Sequence, residues 1–162
     1  MTYTIIIQSI GLLAMALDIA ASLCKNDKTL KITHACASAI FVIHYFLLGA
    51  IPGAVSEFFN SARTGLSAYI QSKLLGTLFL SLYILMLFIV PNTLTEALPF
   101  IASLSITIGL YFYTGATMRL CHLCGWIIWL IYSIQITSIG SIILFTILTI
   151  TTTASIIKLH NN

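Results

Sequence analysis

Seven positions between 53 and 67 set one helical face apart in an otherwise oily chain. Gly53, Ser56, Glu57, Asn60, Arg63, Thr64 and Ser67 recur every three or four residues, so on a helix they form one stripe while Val55, Phe58, Phe59 and Leu66 look elsewhere. A charge near the bilayer centre costs about 2.5 to 3.5 kcal/mol on insertion scales, so Glu57 and Arg63 are not expected to face lipid. Two uses fit the stripe. It can line a solute pathway, with Asn60 as a two-way hydrogen bonder and Arg63 drawing an anionic or carbonyl group. Alternatively, its small and polar residues hold neighbouring helices together. Glu57 and Arg63 lie six residues apart and do not face each other squarely, so each is expected to pair elsewhere.

Other side chains could join such a pathway. Asp18 shares a face with Gly11, Ala14 and Ala21. Arg63 would suit it as a buried partner, because an unpaired ion there would have to neutralise or reach water. The alternative is plain solvation near Lys25. His44, beside Tyr45, could relay protons near neutrality or hydrogen-bond a neighbour. Trp126, Trp129 and Tyr132 form an aromatic stripe, with Tyr111 and Tyr113 on the preceding segment. Such rings stack sugars, and also pack cores and anchor interfaces. Asn60, Arg63, Glu57, Asp18, His44 and Trp129 are therefore the candidate substrate-binding residues. Cys121-His122-Leu123-Cys124 resembles a metal motif, yet His122 does not share the face of the two cysteines and a structural zinc needs four ligands. No metal or other cofactor is expected. With no phosphate-binding loop, glycosidase acid pair or serine elbow, an enzyme is not expected either.

The elements that position these residues follow from composition. Of 162 residues 59% are hydrophobic and 7% charged, against about 25% charged in soluble domains. The mean hydropathy is +1.07. Apolar runs of about 17 to 22 residues suit helices crossing roughly 30 Å of hydrocarbon, and they lack the alternation of barrel strands. Seven spans are expected, at about 3–24, 32–50, 52–70, 74–90, 99–116, 120–136 and 140–157. The segment 74–90 is the most apolar and has little to offer a polar interior. Met1-Thr2-Tyr3 gives no basic leader region, so the first span is expected to be retained.

Charge placement adds orientation. Lys25, Lys28, Lys31, Lys73, Arg119 and Lys158 all follow odd-numbered spans, and the other turns carry no Lys or Arg. Held at the cytoplasmic face, these cations put the amino terminus outside and the carboxyl terminus in the cytoplasm. Cys24, Cys36, Cys121 and Cys124 then sit near cytoplasmic span ends, where disulfides are not expected. The basic residues are dispersed, so nucleic acid is not an expected partner; the lipid bilayer is, with a small polar solute as the candidate ligand. Three crossings reverse the chain's side, so a second triplet repeats the first only after one extra helix. The expected fold is thus an all-α membrane protein, one transmembrane domain over 1–162, with seven transmembrane helices in a 3+1+3 arrangement of two parallel triple-helix bundles. Residues 1–72 form the first repeat, 73–91 a linker helix and 98–158 the second repeat. Sliding Ile43 onto Ile131 also superposes Ile51 on Ile139, Thr64 on Thr152 and Ser67 on Ser155. With both triplets in one chain, a monomer or a weak homo-oligomer is expected.

The stretch His44-Tyr45-Phe46-Leu47-Leu48-Gly49, then Pro52-Gly53-Ala54 and Asn60-Ser61-Ala62-Arg63-Thr64, with Thr117-Met118-Arg119 and Ser138-Ile139-Gly140 downstream, resembles the YgjV family of bacterial inner-membrane proteins. The likeness spans most of the chain. It implies an inner-membrane location and, by that family's kinship with the SWEET/PQ-loop superfamily, paired triple-helix bundles and a SWEET-like carrier or facilitator. The Pro-Gln signature of that superfamily is absent, since none of Pro52, Pro91 and Pro99 precedes Gln. A non-transporting helical module, acting as an assembly or regulatory partner, is the alternative.

Overall fold

A computed structural model describes residues 2–160, with side chains for 4–158; Asn161 and Asn162, at the end of the tail, lie outside the described residues. Seven helices make up the described chain: α1 (Thr2–Ser22), α2 (Asp27–Leu47), α3 (Ile51–Ser67), α4 (Lys73–Ile89), α5 (Leu94–Phe112), α6 (Gly115–Gln135) and α7 (Ile139–His160). There is no strand among the described residues. Five of them (α1, α2, α5, α6 and α7) are long and apolar enough to cross a membrane, while α4 is equally apolar but spans 17 residues. α3, also 17 residues long, carries Glu57 and Arg63.

Three helices start about five residues earlier than the apolar runs do. α2 begins at Asp27, α5 at Leu94 and α6 at Gly115. For α2 and α5 the reason is local: the Asn26 side chain accepts from the backbone N–H of Lys28 and Thr29 at 2.9 and 3.1 Å, and Thr93 caps α5 through the Glu96 N–H, whereas Thr114 before α6 makes no side-chain cap. Capping satisfies the orphan N–H groups of a first turn, so a helix can extend past the apolar segment into polar sequence. Pro99 consequently sits inside α5 rather than at its start.

α1 packs on α2, α2 on α3, α3 on α5, α5 on α6, α6 on α7 and α7 back on α1, closing a ring; α4 lies against α5 and touches α3. Two halves of that ring agree in register at a constant offset of 88 residues. α2 and α6 start at 27 and 115 and end at 47 and 135, and α3 and α7 start at 51 and 139. The turns match bond for bond: Leu48, Gly49 and Ala50 N–H groups donate to His44, Phe46 and Tyr45, as Ile136, Thr137 and Ser138 donate to Tyr132, Ile134 and Ser133. Gly49 has φ +76° and Thr137, its counterpart, has φ +55°. A β-branched residue in the left-handed region is held there only by surroundings that over-determine it, here the same turn that glycine takes easily. Across the helix pairs, Lys31 Nζ donates to the Ser67 carbonyl at 3.4 Å, and Arg119 Nη1 to the Ser155 carbonyl at 3.2 Å.

Close approach between halves requires glycine. A Cβ on Gly140 would run into the Gly11 backbone, and one on Gly53 would meet the Tyr132 ring. The largest core cluster gathers Phe41, Tyr45, Ala102, Trp129, Tyr132, Leu144 and Phe145 at the ring's centre. A second, of Phe79, Tyr83 and Phe100, fixes α4 to α5.

Candidate functional site

The periodic stripe on α3 becomes one buried face. Gly53, Ser56, Glu57, Asn60, Arg63 and Ser67 are all buried, whereas Phe58 and Leu66 are exposed. From this face a cavity of about 310 Å³ opens into the ring. It runs from Asp27 and Lys31, at the end of the bundle that holds the α1–α2 turn, to Glu57, Trp129 and Phe145 in the interior. Its two walls differ. The α1–α3 wall presents Asp18, His34, Ser38, Glu57, Asn60 and Arg63, whereas the α5–α7 wall presents Ile106, Leu110, Trp126, Trp129, Leu144 and Phe145, with His122 as its one titratable group.

Most of the polar side chains on the first wall have a traceable partner. Asp18 contacts the His34 Nδ1, so an imidazole on α2 takes the place expected of Arg63. The substitution is physically simple: α1 packs directly on α2 and does not pack on α3. Arg63 turns instead to α5, where Nη1 donates to the Thr107 hydroxyl. Its Nε is buried without a partner. Asn60 uses both ends of its amide, donating from Nδ2 to Glu57 at 3.3 Å and accepting from the Tyr83 hydroxyl at 2.6 Å. Tyr83 belongs to α4, so the most apolar helix does contribute to the polar interior, contrary to its composition. Ser56 donates to the Pro99 carbonyl at 3.0 Å and lies 2.9 Å from the Ser103 hydroxyl.

At the other end of the ring a polar seal replaces the cavity. His44 Nδ1 donates to the Ile7 carbonyl at 2.8 Å and its Nε2 pairs with Ser138 at 2.7 Å. Tyr45 and Ser141 hydroxyls lie 2.7 Å apart, and the Gly53 N–H donates to Tyr132 at 3.1 Å. Gln8 clamps the α6–α7 turn, its amide donating to the Thr137 carbonyl at 2.9 Å and accepting from the Ile139 N–H at 3.0 Å. Aside from the bond to Ile7, each of these crosses from one half of the ring to the other.

Five of the six candidate residues, Asp18, Glu57, Asn60, Arg63 and Trp129, thus line one cavity, and His44 sits in the seal instead. Trp129 is fully buried, packed parallel to Tyr45 and Phe145 with ring centroids 6.0 and 5.4 Å apart, so its faces are occupied by protein rings. Sequence reasoning missed His34 and weighed His122 only as a metal ligand. The slide of 88 residues that superposes Ile43 on Ile131 also lays Thr29, Lys31, His34 and Cys36 on Thr117, Arg119, His122 and Cys124, which would have found both. In the Cys-His-Leu-Cys segment His122 lines the cavity while Cys124 is exposed, and all four cysteines are free.

Residues 5–162 match the family model Imp-YgjV, described as bacterial inner membrane protein. The chain belongs to the Imp-YgjV family. As a member it is a protein of the bacterial inner membrane, which accords with its five long apolar helices. No curated protein and no solved structure matches it.

Proposed function

We propose that this inner-membrane protein is a carrier or facilitator of a small polar solute, SWEET-like in plan, with seven spans arranged as two parallel triplets joined by α4. The observation that carries the reading is a polar cavity reaching the middle of the ring from one end while a hydrogen-bonded seal closes the other. A path open at one end and shut by exchangeable polar bonds at the other is what alternating access between two halves needs. The shared 88-residue register supports the triplets as repeats, and so does the packing: α1 on α7 is the counterpart of α5 on α3. The six cations after odd-numbered spans support a cavity mouth in the cytoplasm, with the amino terminus outside and the carboxyl terminus inside. No bond in the solute is made or broken. Both halves come from one polypeptide, so a monomer suffices.

Uptake into vesicles reconstituted with the purified protein tests this. Asn60→Leu or Arg63→Met is expected to change flux of the carried solute, and unchanged flux of every solute tried across a broad panel would sink the carrier reading. The bonding of Asn60 to Tyr83 and of Arg63 to Thr107 favours a second reading, a non-transporting module whose stripe serves helix cohesion. Purification with a stoichiometric partner protein and no flux would favour it.

A further inference from the structure

We propose that the solute is a zwitterion with an apolar body, its chemical class being α-amino acids with apolar side chains. The inference rests on the carrier reading and asks which chemistry the cavity leaves unmatched. Asp18 is matched by His34, and Lys31 by Asp27 at 3.1 Å near the mouth. Glu57 and Arg63 remain. Among the described residues neither lies in an ion pair. Glu57 accepts from the neutral Asn60 amide and Arg63 donates to the neutral Thr107 hydroxyl, with Nε unpartnered in a side chain only 5% exposed. A guanidinium is a fork of N–H donors suited to a carboxylate. One used donor leaves that fork available.

The spacing suits both ends of one small molecule. Six residues on a helix separate the backbone positions of Glu57 and Arg63 by roughly 9 Å along its axis. A zwitterion bridging them spans about 2.8 Å for each charge-assisted hydrogen bond and about 2.5 Å across N–Cα–C, close to 8 Å in all. A purely anionic solute would leave Glu57 unmatched, and a purely cationic one Arg63. Opposite the charges stand Ile106, Leu110, Leu144 and Phe145, which offer no hydrogen bond, beside Trp126 and His122, which bring one indole N–H and one imidazole. A sugar, with hydroxyls on every edge, would strand some of them against that wall, where a polar group without a partner costs free energy. An aliphatic or aromatic side chain would instead gain burial. A cavity of 310 Å³ lies at the small end of ligand sites, which fits a molecule of this size.

The chain's two tryptophans, Trp126 and Trp129, both line the cavity, so intrinsic fluorescence reports on its contents. The full chain in nanodiscs is titrated with L-leucine, L-methionine, L-valine, glycine, glucose and two analogues of leucine: isoamylamine, which lacks the carboxylate, and 4-methylpentanoate, which lacks the amine. At least one apolar amino acid is expected to give a saturable change, with its one-charge analogues and glycine at least about tenfold weaker. Arg63→Met should abolish the preference for leucine over isoamylamine, and Glu57→Gln the preference over 4-methylpentanoate. These are ratios within one variant, so partial loss of folded protein cancels. Should Arg63→Met fail to fold, Arg63→Lys keeps the charge without the fork and should narrow the ratio. Equal binding of leucine and both analogues would overturn the inference, as would no signal from the three apolar amino acids at about 10 mM, above the usual KM range. Saturable binding and uptake of glucose without any amino-acid signal would overturn it while leaving the carrier reading standing. Absence of flux for every probe would remove both.

Discussion

Removing two hydroxyls from the seal should bias the ring toward opening at that end. In Tyr45→Phe/Tyr132→Phe both rings stay in the core, but the Tyr45–Ser141 bond (2.7 Å) and the Gly53–Tyr132 bond (3.1 Å) are lost. Each joins one half of the ring to the other, so each stabilises only the state in which the seal is shut. Hydrogen bonds between membrane helices average about 0.6 kcal/mol and reach about 1.7; Ser141 still accepts from Ser138 at 2.8 Å, but the Gly53 N–H left without Tyr132 adds to the loss. The pair is therefore worth about 1 to 3 kcal/mol, roughly a 5- to 150-fold change in the ratio of shut to open states. Spin labels on Cys placed at Ile51 and Ile139 would read it, in a background where Cys24, Cys36, Cys121 and Cys124 are replaced. Those two positions begin α3 and α7, correspond in register and are 43% and 50% exposed, so the labels do not disturb the core. The inter-label distance distribution is expected to gain a longer component in the double variant, with each single variant in between. A folded double variant whose distribution matches the parent's would refute the idea that these bonds hold a movable gate.

Other substitutions probe the frame. Gly140→Ala forces a Cβ into the Gly11 backbone, which cannot rotate away, and should destabilise the purified protein by about 3 kcal/mol or more, visible as a lower melting temperature in detergent. Trp129→Ala empties the centre of the aromatic stack and should cost about 3 to 5 kcal/mol in the same assay. Tyr83→Phe removes the only described hydrogen bond from α4 to the α3 stripe; a loss near 1 kcal/mol and faster hydrogen exchange in α4 are expected, and an unchanged melt would mean that Asn60 is satisfied from elsewhere.

Periodicity made the α3 face readable because a helix turns residues three and four apart to the same side, and polar side chains in a lipid-soluble chain have only the interior to face. The wall opposite was not readable in the same way. The aromatic stripe gave Trp129 on that wall, but Leu144 and Phe145 are apolar residues on an apolar helix, and nothing in their spacing separates a cavity wall from a lipid-facing one. For Asp18, charge alone suggests either Arg63 or solvation near Lys25, whereas helix order gives it His34, since α1 and α2 are joined by a short turn and pack along their length. His44 was placed by sequence on the correct helix, but only the close approach of Gly11, whose missing side chain makes room for the imidazole, reveals that it belongs to the seal. Hydropathy does not reveal the early helix starts at Asp27, Leu94 and Gly115 because it finds the part of a helix in oil, not the first turns outside it, which side chains cap in α2 and α5.

Ser38 offers the most direct test of the central claim, that a cavity open at the Lys-rich end and shut at the other lies between the two halves. It lines the cavity on α2 and can be replaced by cysteine in the background free of native thiols. In oriented inner-membrane vesicles, a membrane-impermeant thiol reagent should modify Ser38→Cys when applied from the cytoplasmic side and leave it unmodified from the periplasmic side. Modification from the periplasmic side alone, or protection from both sides in a protein that remains folded, would contradict the account.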